Sequence, residues 1–268
     1  MCIRDSTSTG SVTEQRLSPQ IALIQISNPG KLNSFSVPMW HQLTQLMNQL
    51  GRADSGVRCI ILGGADKQSF AAGSDITEFK SKRSNVEQAR VYGKVVSDAL
   101  YALEYCHVPM IAKINGICVG GGLAVASLCD YQVAGQSSKF GVPVNRLGLV
   151  MAHAEMRGVV RKCGPAFLKE VLFEGKIYKA DQALAKGLIT HLTADENVEI
   201  EVNQIAENIV KGAPLVARWH KKFIHRLLDP TPLSDAEIDE ANACFATEDY
   251  RIGVDAFDQK KQPIFKGI

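Results

Sequence analysis

No stretch of this 268-residue chain approaches the ~18 to 20 uninterrupted apolar residues that a membrane-spanning helix requires. The N-terminus likewise shows no apolar core followed by a small-residue cleavage site. Neither a membrane partner nor export is therefore expected. An excess of one charge is also missing: Lys and Arg total 30 against 28 Asp and Glu, a formal net charge of +2. A general nucleic-acid surface needs a marked basic excess to neutralise phosphates, so none is expected, and any anion must be met by a few local groups. The seven cysteines, Cys2, Cys59, Cys106, Cys118, Cys129, Cys163 and Cys244, form an odd set without a CxxC pair. That argues against a disulfide framework and a zinc cluster, predicts no metal, and fits a reducing cytoplasm. Two nucleotide fingerprints are absent as well: there is no GxGxxG followed by an acidic residue ~20 positions on, and no GK[ST]. A dinucleotide-dependent oxidoreductase is rejected on that ground.

What is present is 46% hydrophobic residues, enough for a substantial core, in a length that suits one compact body with an appendage. Residues 1–6, MCIRDS, read like the translation of a sequencing-library adapter, so residues 1–11 are expected to form a disordered tail outside the fold. Residues 21–26 (IALIQI) form an apolar run closed by Asn28-Pro29-Gly30, a strand and turn. Met39, Trp40, Leu43, Leu46, Met47 and Leu50 then fall at helical spacing, with Gly51 as a stop. A β-branched strand over 57–62, a long helix over 86–105 and an apolar strand over 108–114 come next. A helix opening at the glycines of 120–122 and a strand around 131–134 continue the alternation, which predicts an α/β fold. We expect the core to span residues 12–203. A helical C-terminal subdomain, broken by Pro214, Pro230 and Pro232, should occupy 204–268.

Two turns carry the chemistry. In Asn115-Gly116-Ile117-Cys118-Val119-Gly120-Gly121-Gly122, three glycines open a helix, leaving backbone N–H groups bare for an anion or a polarised carbonyl oxygen. The same glycines would equally let the helix pack closely on its strand. Upstream, Phe70-Ala71-Ala72-Gly73-Ser74-Asp75-Ile76 is a second small-residue turn, leading into a short helix that Asp75 is able to cap. Stabilising an enolate or a tetrahedral oxyanion needs two N–H donors aimed at one point, which a pair of such turns can supply.

With these turns the chain resembles the crotonase superfamily of enoyl-CoA hydratases and isomerases, whose members carry segments like FAAGxD and, further along, NGxxxGGG. Asn28-Pro29 with Asn33, Phe140-Gly141-Val142-Pro143, Gly187-Leu188-Ile189 and the ending over 257–265 match in the same order. The resemblance implies a spiral of ββα units with a C-terminal helical region used in trimer assembly, as a homotrimer or a hexamer. It implies an acyl-CoA substrate, coenzyme A being part of the thioester and no cofactor tightly bound. The thioester carbonyl would sit in an oxyanion hole made by the N–H groups of Ser74 and Gly121. CoA would lie along Lys31, Leu32, Ala71, Asp75, Ile76 and Gly120, with Phe257 and Lys260 reaching the nucleotide from the same or a neighbouring subunit. Lys260 and Lys261 read equally as a solvated helix end.

The chain departs from the family's pattern at two places. Hydratases of the family hold a water between two glutamates, and here those positions are Ala124 and Val144, which cannot move a proton. Positioned acid–base groups typically contribute about 10²- to 10⁴-fold in rate, so ordinary hydration is not expected. After Leu147-Gly148-Leu149-Val150, small residues give way to His153 and Glu155, where some isomerases of the superfamily carry their catalytic glutamate. Glu155 is the candidate base and His153 its alternative, although a glutamate in a first helical turn is also favoured by the helix dipole alone. Tyr92 on the long helix could border the acyl group or simply pack, and Asp130 reads as a structural hydrogen-bonding residue. The expected reaction is double-bond isomerisation or a related lyase step through a thioester enolate. The rivals are an atypical hydratase, decarboxylase or thioester hydrolase, and a non-catalytic acyl-CoA-binding subunit.

Overall fold

The computed structural model describes residues 10–268, and the path of the chain is set by where apolar residues alternate and where glycines allow turns. A hairpin of β1 (Ser11–Ser18) and β2 (Ile21–Ser27) leads to α1 (Val37–Leu50). Next come β3 (Cys59–Gly64), β4 (Ser69–Ala71), the short α2 (Phe79–Lys82) and the long α3 (Val86–Glu104). The following pass is β5 (Met110–Ile114), β6 (Ile117–Val119) and α4 (Gly121–Leu128). After it come β7 (Tyr131–Gly135), β8 (Lys139–Gly141) and α5 (His153–Glu174). The pass closes with β9 (Ile177–Lys179), α6 (Ala180–Ala185) and β10 (His191–Thr193). In each middle pass the first strand joins a six-stranded sheet ordered β1-β2-β3-β5-β7-β10 and the second joins a four-stranded sheet ordered β4-β6-β8-β9. This is the spiral of ββα units that the resemblance implies. Pairing is parallel throughout both sheets except at the β1/β2 and β8/β9 pairs.

The central strands β2, β3 and β5 of the larger sheet are buried on both faces and read as nearly continuous apolar runs, while the edge strands β1 and β10 do not. One set of alternating residues, including Ala22, Ile24, Ile26, Ile60, Leu62, Ala112 and Ile114, shares a core with Trp40, Leu43, Leu103 and Leu123 of the flanking helices. The other set, Ile21, Leu23, Cys59, Ile61, Ile111 and Val133, packs on Val198, Val202 and Ala206 of α7 (Val198–Lys211). The remaining helices are α8 (Pro214–Arg226), α9 (Asp235–Glu240) and α10 (Glu248–Asp258). A buried lysine ties α8 to the core: Lys221 Nζ donates to the Asp130 carboxylate at 2.8 Å and to the Val108 carbonyl at 3.0 Å. Among the described residues no helix is long and apolar enough to cross a membrane.

Two expectations need correction. The boundary at 203/204 falls inside α7, whose apolar face covers the outer side of the sheet, so α7 belongs to the core and the helical appendage starts after Gly212. The expected tail over 1–11 is too long at its end. Ser11 opens β1 and pairs with Ser27, while residues 1–9, with the adapter-like segment, lie outside the described residues. Gly51 ends α1 as expected, in a right-handed conformation at φ −69° that does not itself demand glycine.

Candidate functional site

The site is assembled by two loops that the core strands bring together. In the first, the Asn33 side chain accepts from the Asn28 N–H at 3.0 Å and donates to the Ser69 carbonyl at 2.9 Å, while Asn28 Nδ2 donates to the Ser34 carbonyl. Leu32 and Asn33 are thereby held at φ +49° and +55°, a left-handed conformation that asparagine tolerates better than leucine. This pins the first loop to the second: Ala72 N–H donates to the Leu32 carbonyl, Phe35 N–H to the Gly73 carbonyl, and Asp75 N–H to the Phe35 carbonyl. Asp75 is buried and accepts from Lys31 Nζ at 2.6 Å and from the Thr77 N–H and hydroxyl. Burial alone would raise the Asp75 carboxyl. The hydrogen bonds from Lys31 and Thr77 outweigh it and hold the pKa below the ordinary range.

The glycines at the start of α4 divide the two roles that the sequence left open. A Cβ at Gly122 would stand 2.2 Å from the Ala71 carbonyl oxygen, so this glycine serves the close packing of α4 on β4. Gly120 sits at φ +55°, ψ −127°, a conformation for which glycine is needed, and its N–H is spent on the Gly141 carbonyl. Gly121 is the first helical residue, and its N–H has no intrahelical partner by geometry. The second turn lies against it, since a Cβ at Gly73 would be 3.0 Å from the Gly121 nitrogen. Among the described residues the Ser74 N–H also donates no hydrogen bond.

Between these turns and the chain around 142–155 lies a cavity of about 110 Å³. Ser74, Gly120 and Gly121 form one wall, and Val119, Val142, Val144, Leu147, Leu149 and Val150 make much of the rest. Among the described residues its only carboxylate is Glu155, and its only cation is Arg83. Glu155 Oε2 accepts from the Ala152 N–H at 2.8 Å, one half of a capping box at the start of α5, while Oε1 makes no hydrogen bond among the described residues. Burial raises the Glu155 carboxyl above its ordinary range, by more than the Ala152 N–H and the Arg83 charge lower it. Beside Ser74, the hydroxyl of Tyr92 and the indole N–H of Trp40 are buried without a hydrogen bond of standard geometry. Trp40 carries the wall behind Gly121, whose added Cβ would meet the indole edge at 3.2 Å.

Of the residues expected at the site, Ser74, Ile76, Gly120, Gly121 and Glu155 line this cavity. His153 does not: it is exposed at the first position of α5. Ala71 is fully buried under Gly122, and Ala72 takes its place in the wall. Lys31 and Leu32 stand on the adjoining loop, where the Lys31 ammonium is engaged by Asp75. Phe257 and Lys260, at the end of α10, are exposed and away from the cavity within this chain. Of the two positions where hydratases of the family hold glutamates, Val144 lines the cavity and Ala124 is buried in the core beside it. The cysteines near α4 are inert, as burial pushes the Cys129 thiol up to about 12 and Cys118 well above its ordinary value. Arg83 is the residue sequence reading missed. It lies in the charged run from Lys80 to Arg83, which looks like a solvated helix end, and only the fold turns it inward.

Residues 16–268 match the model of one protein family, enoyl-CoA hydratase/isomerase. Among characterised relatives, the chain is 29% identical to a short-chain-enoyl-CoA hydratase of Clostridium acetobutylicum over 91% of this chain and 93% of that protein. It is equally 29% identical to a crotonyl-CoA hydratase of Syntrophomonas wolfei, over 92% and 94%. Among solved structures, an enoyl-CoA hydratase/carnithine racemase from Magnetospirillum magneticum superposes with a TM-score of 0.94 at 41% identity, covering 97% of both chains.

Proposed function

Given that the chain belongs to the enoyl-CoA hydratase/isomerase family, we propose that it moves a double bond in an acyl-CoA thioester through an enolate, with Glu155 as the single acid–base group. One observation carries this reading: Glu155 is the only carboxylate, among the described residues, in a cavity also lined by Gly121 with its unpaired N–H, while Val144 and Ala124 hold the two hydratase positions. The Glu155 carboxylate takes a proton from the α- or γ-carbon of the enoyl thioester. The negative charge that forms on the thioester oxygen is held by the N–H groups of Gly121 and Ser74. The same carboxyl then returns the proton at the other end of the dienolate. Losing one such oxyanion donor typically costs ~2.7 to 4 kcal/mol of transition-state stabilisation. Raising the Glu155 pKa suits a group that must both take and return a proton near neutral pH. His153 has no part in this reading, because it lies outside the cavity. CoA itself would run along the loop of Lys31 and Leu32, with Phe257 and Lys260 supplied across a subunit boundary.

The test is incubation with 2-enoyl-, 3-enoyl- and saturated acyl-CoA thioesters in deuterated water, read by mass spectrometry. The wild type is expected to exchange α- or γ-hydrogens and shift the double bond, Glu155→Gln to lose about 10²- to 10⁴-fold in rate, and His153→Ala to keep it. Net addition of water by the Glu155→Gln variant would point to an atypical hydratase, and binding without exchange would point to an acyl-CoA-binding subunit.

A further inference from the structure

A fatty acyl chain would leave one feature of the cavity unexplained. Arg83 ends α2, where its N–H donates to the Phe79 carbonyl at 2.8 Å, and its side chain lines the same cavity as Gly121 and Glu155. The guanidinium carbon stands 4.6 Å from the centre of the Phe79 ring and 4.9 Å from that of Tyr92. The two rings meet edge to face at 6.0 Å, so the aromatic pair fixes the cation in place rather than letting it sweep through solvent. Among the described residues Arg83 makes no ion pair and no side-chain hydrogen bond, with Glu155 or any other carboxylate, whereas the preceding Lys82 pairs with Glu78.

A half-buried guanidinium held against two rings, without a hydrogen bond of its own and lining a cavity whose other polar side chains are Ser74 and Glu155, is a poor wall for a hydrocarbon tail. An apolar acyl group would remove water from those donors and return nothing. A carboxylate, by contrast, matches the planar fork with two parallel charge-assisted hydrogen bonds. We propose that Arg83 is a specificity-determining residue that receives a carboxylate at the far end of the acyl group, so that the preferred substrates are CoA thioesters of dicarboxylic acids. This rests on the acyl-CoA reading of the cavity but not on the identity of the base. Glu155 adds a reason for the polarity, since an anion in the cavity is repelled from the carboxylate and drawn to the arginine end.

The experiment is a binding series by calorimetry with saturated thioesters, which need no turnover: malonyl-, succinyl- and glutaryl-CoA against propionyl-, butyryl- and pentanoyl-CoA, with free CoA as the reference. In the wild type at least one dicarboxylic thioester is expected to bind about 10- to 100-fold tighter than its monocarboxylic counterpart. In Arg83→Met that ratio should collapse to about one, and in Arg83→Lys it should fall part of the way, because the charge remains without the fork. A wild-type ratio of one for every pair overturns the proposal. So does an Arg83→Met variant that weakens free CoA as much as it weakens the dicarboxylic thioesters, which would assign Arg83 to the CoA phosphates. Failure of the base assignment would show instead as deuterium exchange surviving in Glu155→Gln, with the binding ratio untouched.

Discussion

Glu155 does two jobs that pull its protonation in opposite directions. As a cap it holds the Ala152 N–H, which favours the charged form, while burial against the apolar cavity favours the neutral one and prevails. Its folded pKa therefore lies above its unfolded value. The neutral form contributes stability that is present below the ordinary carboxylate range and lost as pH rises through the raised value. A permanently neutral Glu155→Gln variant can still accept from Ala152, so its melting temperature at pH 7 should exceed that of the wild type, with the difference closing as pH falls towards the ordinary glutamate value of about 4. Activity has the opposite dependence, because only the carboxylate can take a proton. The acid limb of kcat/KM should lie above the range of an ordinary glutamate and disappear in the variant. A melting curve for Glu155→Gln below that of the wild type at pH 7 would mean that the charged cap matters more than the desolvation. Asp75 has the opposite sign: its depressed pKa adds stability above the ordinary carboxylate range that is lost on acidification.

At the scale of elements, the glycine turn could be read from the sequence as a place, but the division of labour within it could not. Gly120, Gly121 and Gly122 are identical letters, and only the approach of Ala71 and the run of Gly141 distinguish them. Gly122→Ala is expected to cost about 1 to 3 kcal/mol in urea denaturation, because α4 must back away from β4. Gly121→Ala should cost less, since its Cβ meets a ring edge at 3.2 Å and not a backbone atom. If the two lose equal stability, the packing role of Gly122 falls. The central parallel strands of the larger sheet were legible because burial on both faces makes them apolar throughout, as in β3 and β5, whereas the three-residue β4, β6 and β10 were too short to show a pattern. β1 was not, since Val12 is its one buried residue and SVTEQRLS reads as a polar loop until β2 pairs with it. Glu155 was legible from its place after the Leu147-Gly148 turn, whereas Arg83 was hidden among lysines, because sequence spacing does not say which member of a charged run the rings of Phe79 and Tyr92 will hold.

At the scale of the whole molecule, the C-terminal helices leave much apolar surface in water: Leu227, Leu233, Ile238, Phe245, Phe257 and Ile264 are all exposed in the single chain. Surface of that kind favours association, and light scattering is expected to give three or six times the 29.2 kDa of one chain. A mass of one chain at micromolar concentration would sink the oligomer and with it the reach of Phe257 and Lys260 to a neighbour's CoA. The same helices are bound to their own core by Lys221, whose side chain is only 6% exposed. Asp130→Ala, which leaves that ammonium buried with one carbonyl, should destabilise by up to about 3 to 5 kcal/mol in the same urea titration.

That lysine also sets an order of events on the ribosome. Asp130 and Val108 leave the exit tunnel long before their partner, which is 91 residues further on from Asp130. At about 5 to 20 residues per second, the interval is roughly 5 to 20 s. Through that interval the rest of the sheet and then α7 are still emerging, so the outer face of the sheet is covered by α7 only shortly before Lys221 arrives to fasten α8 onto it.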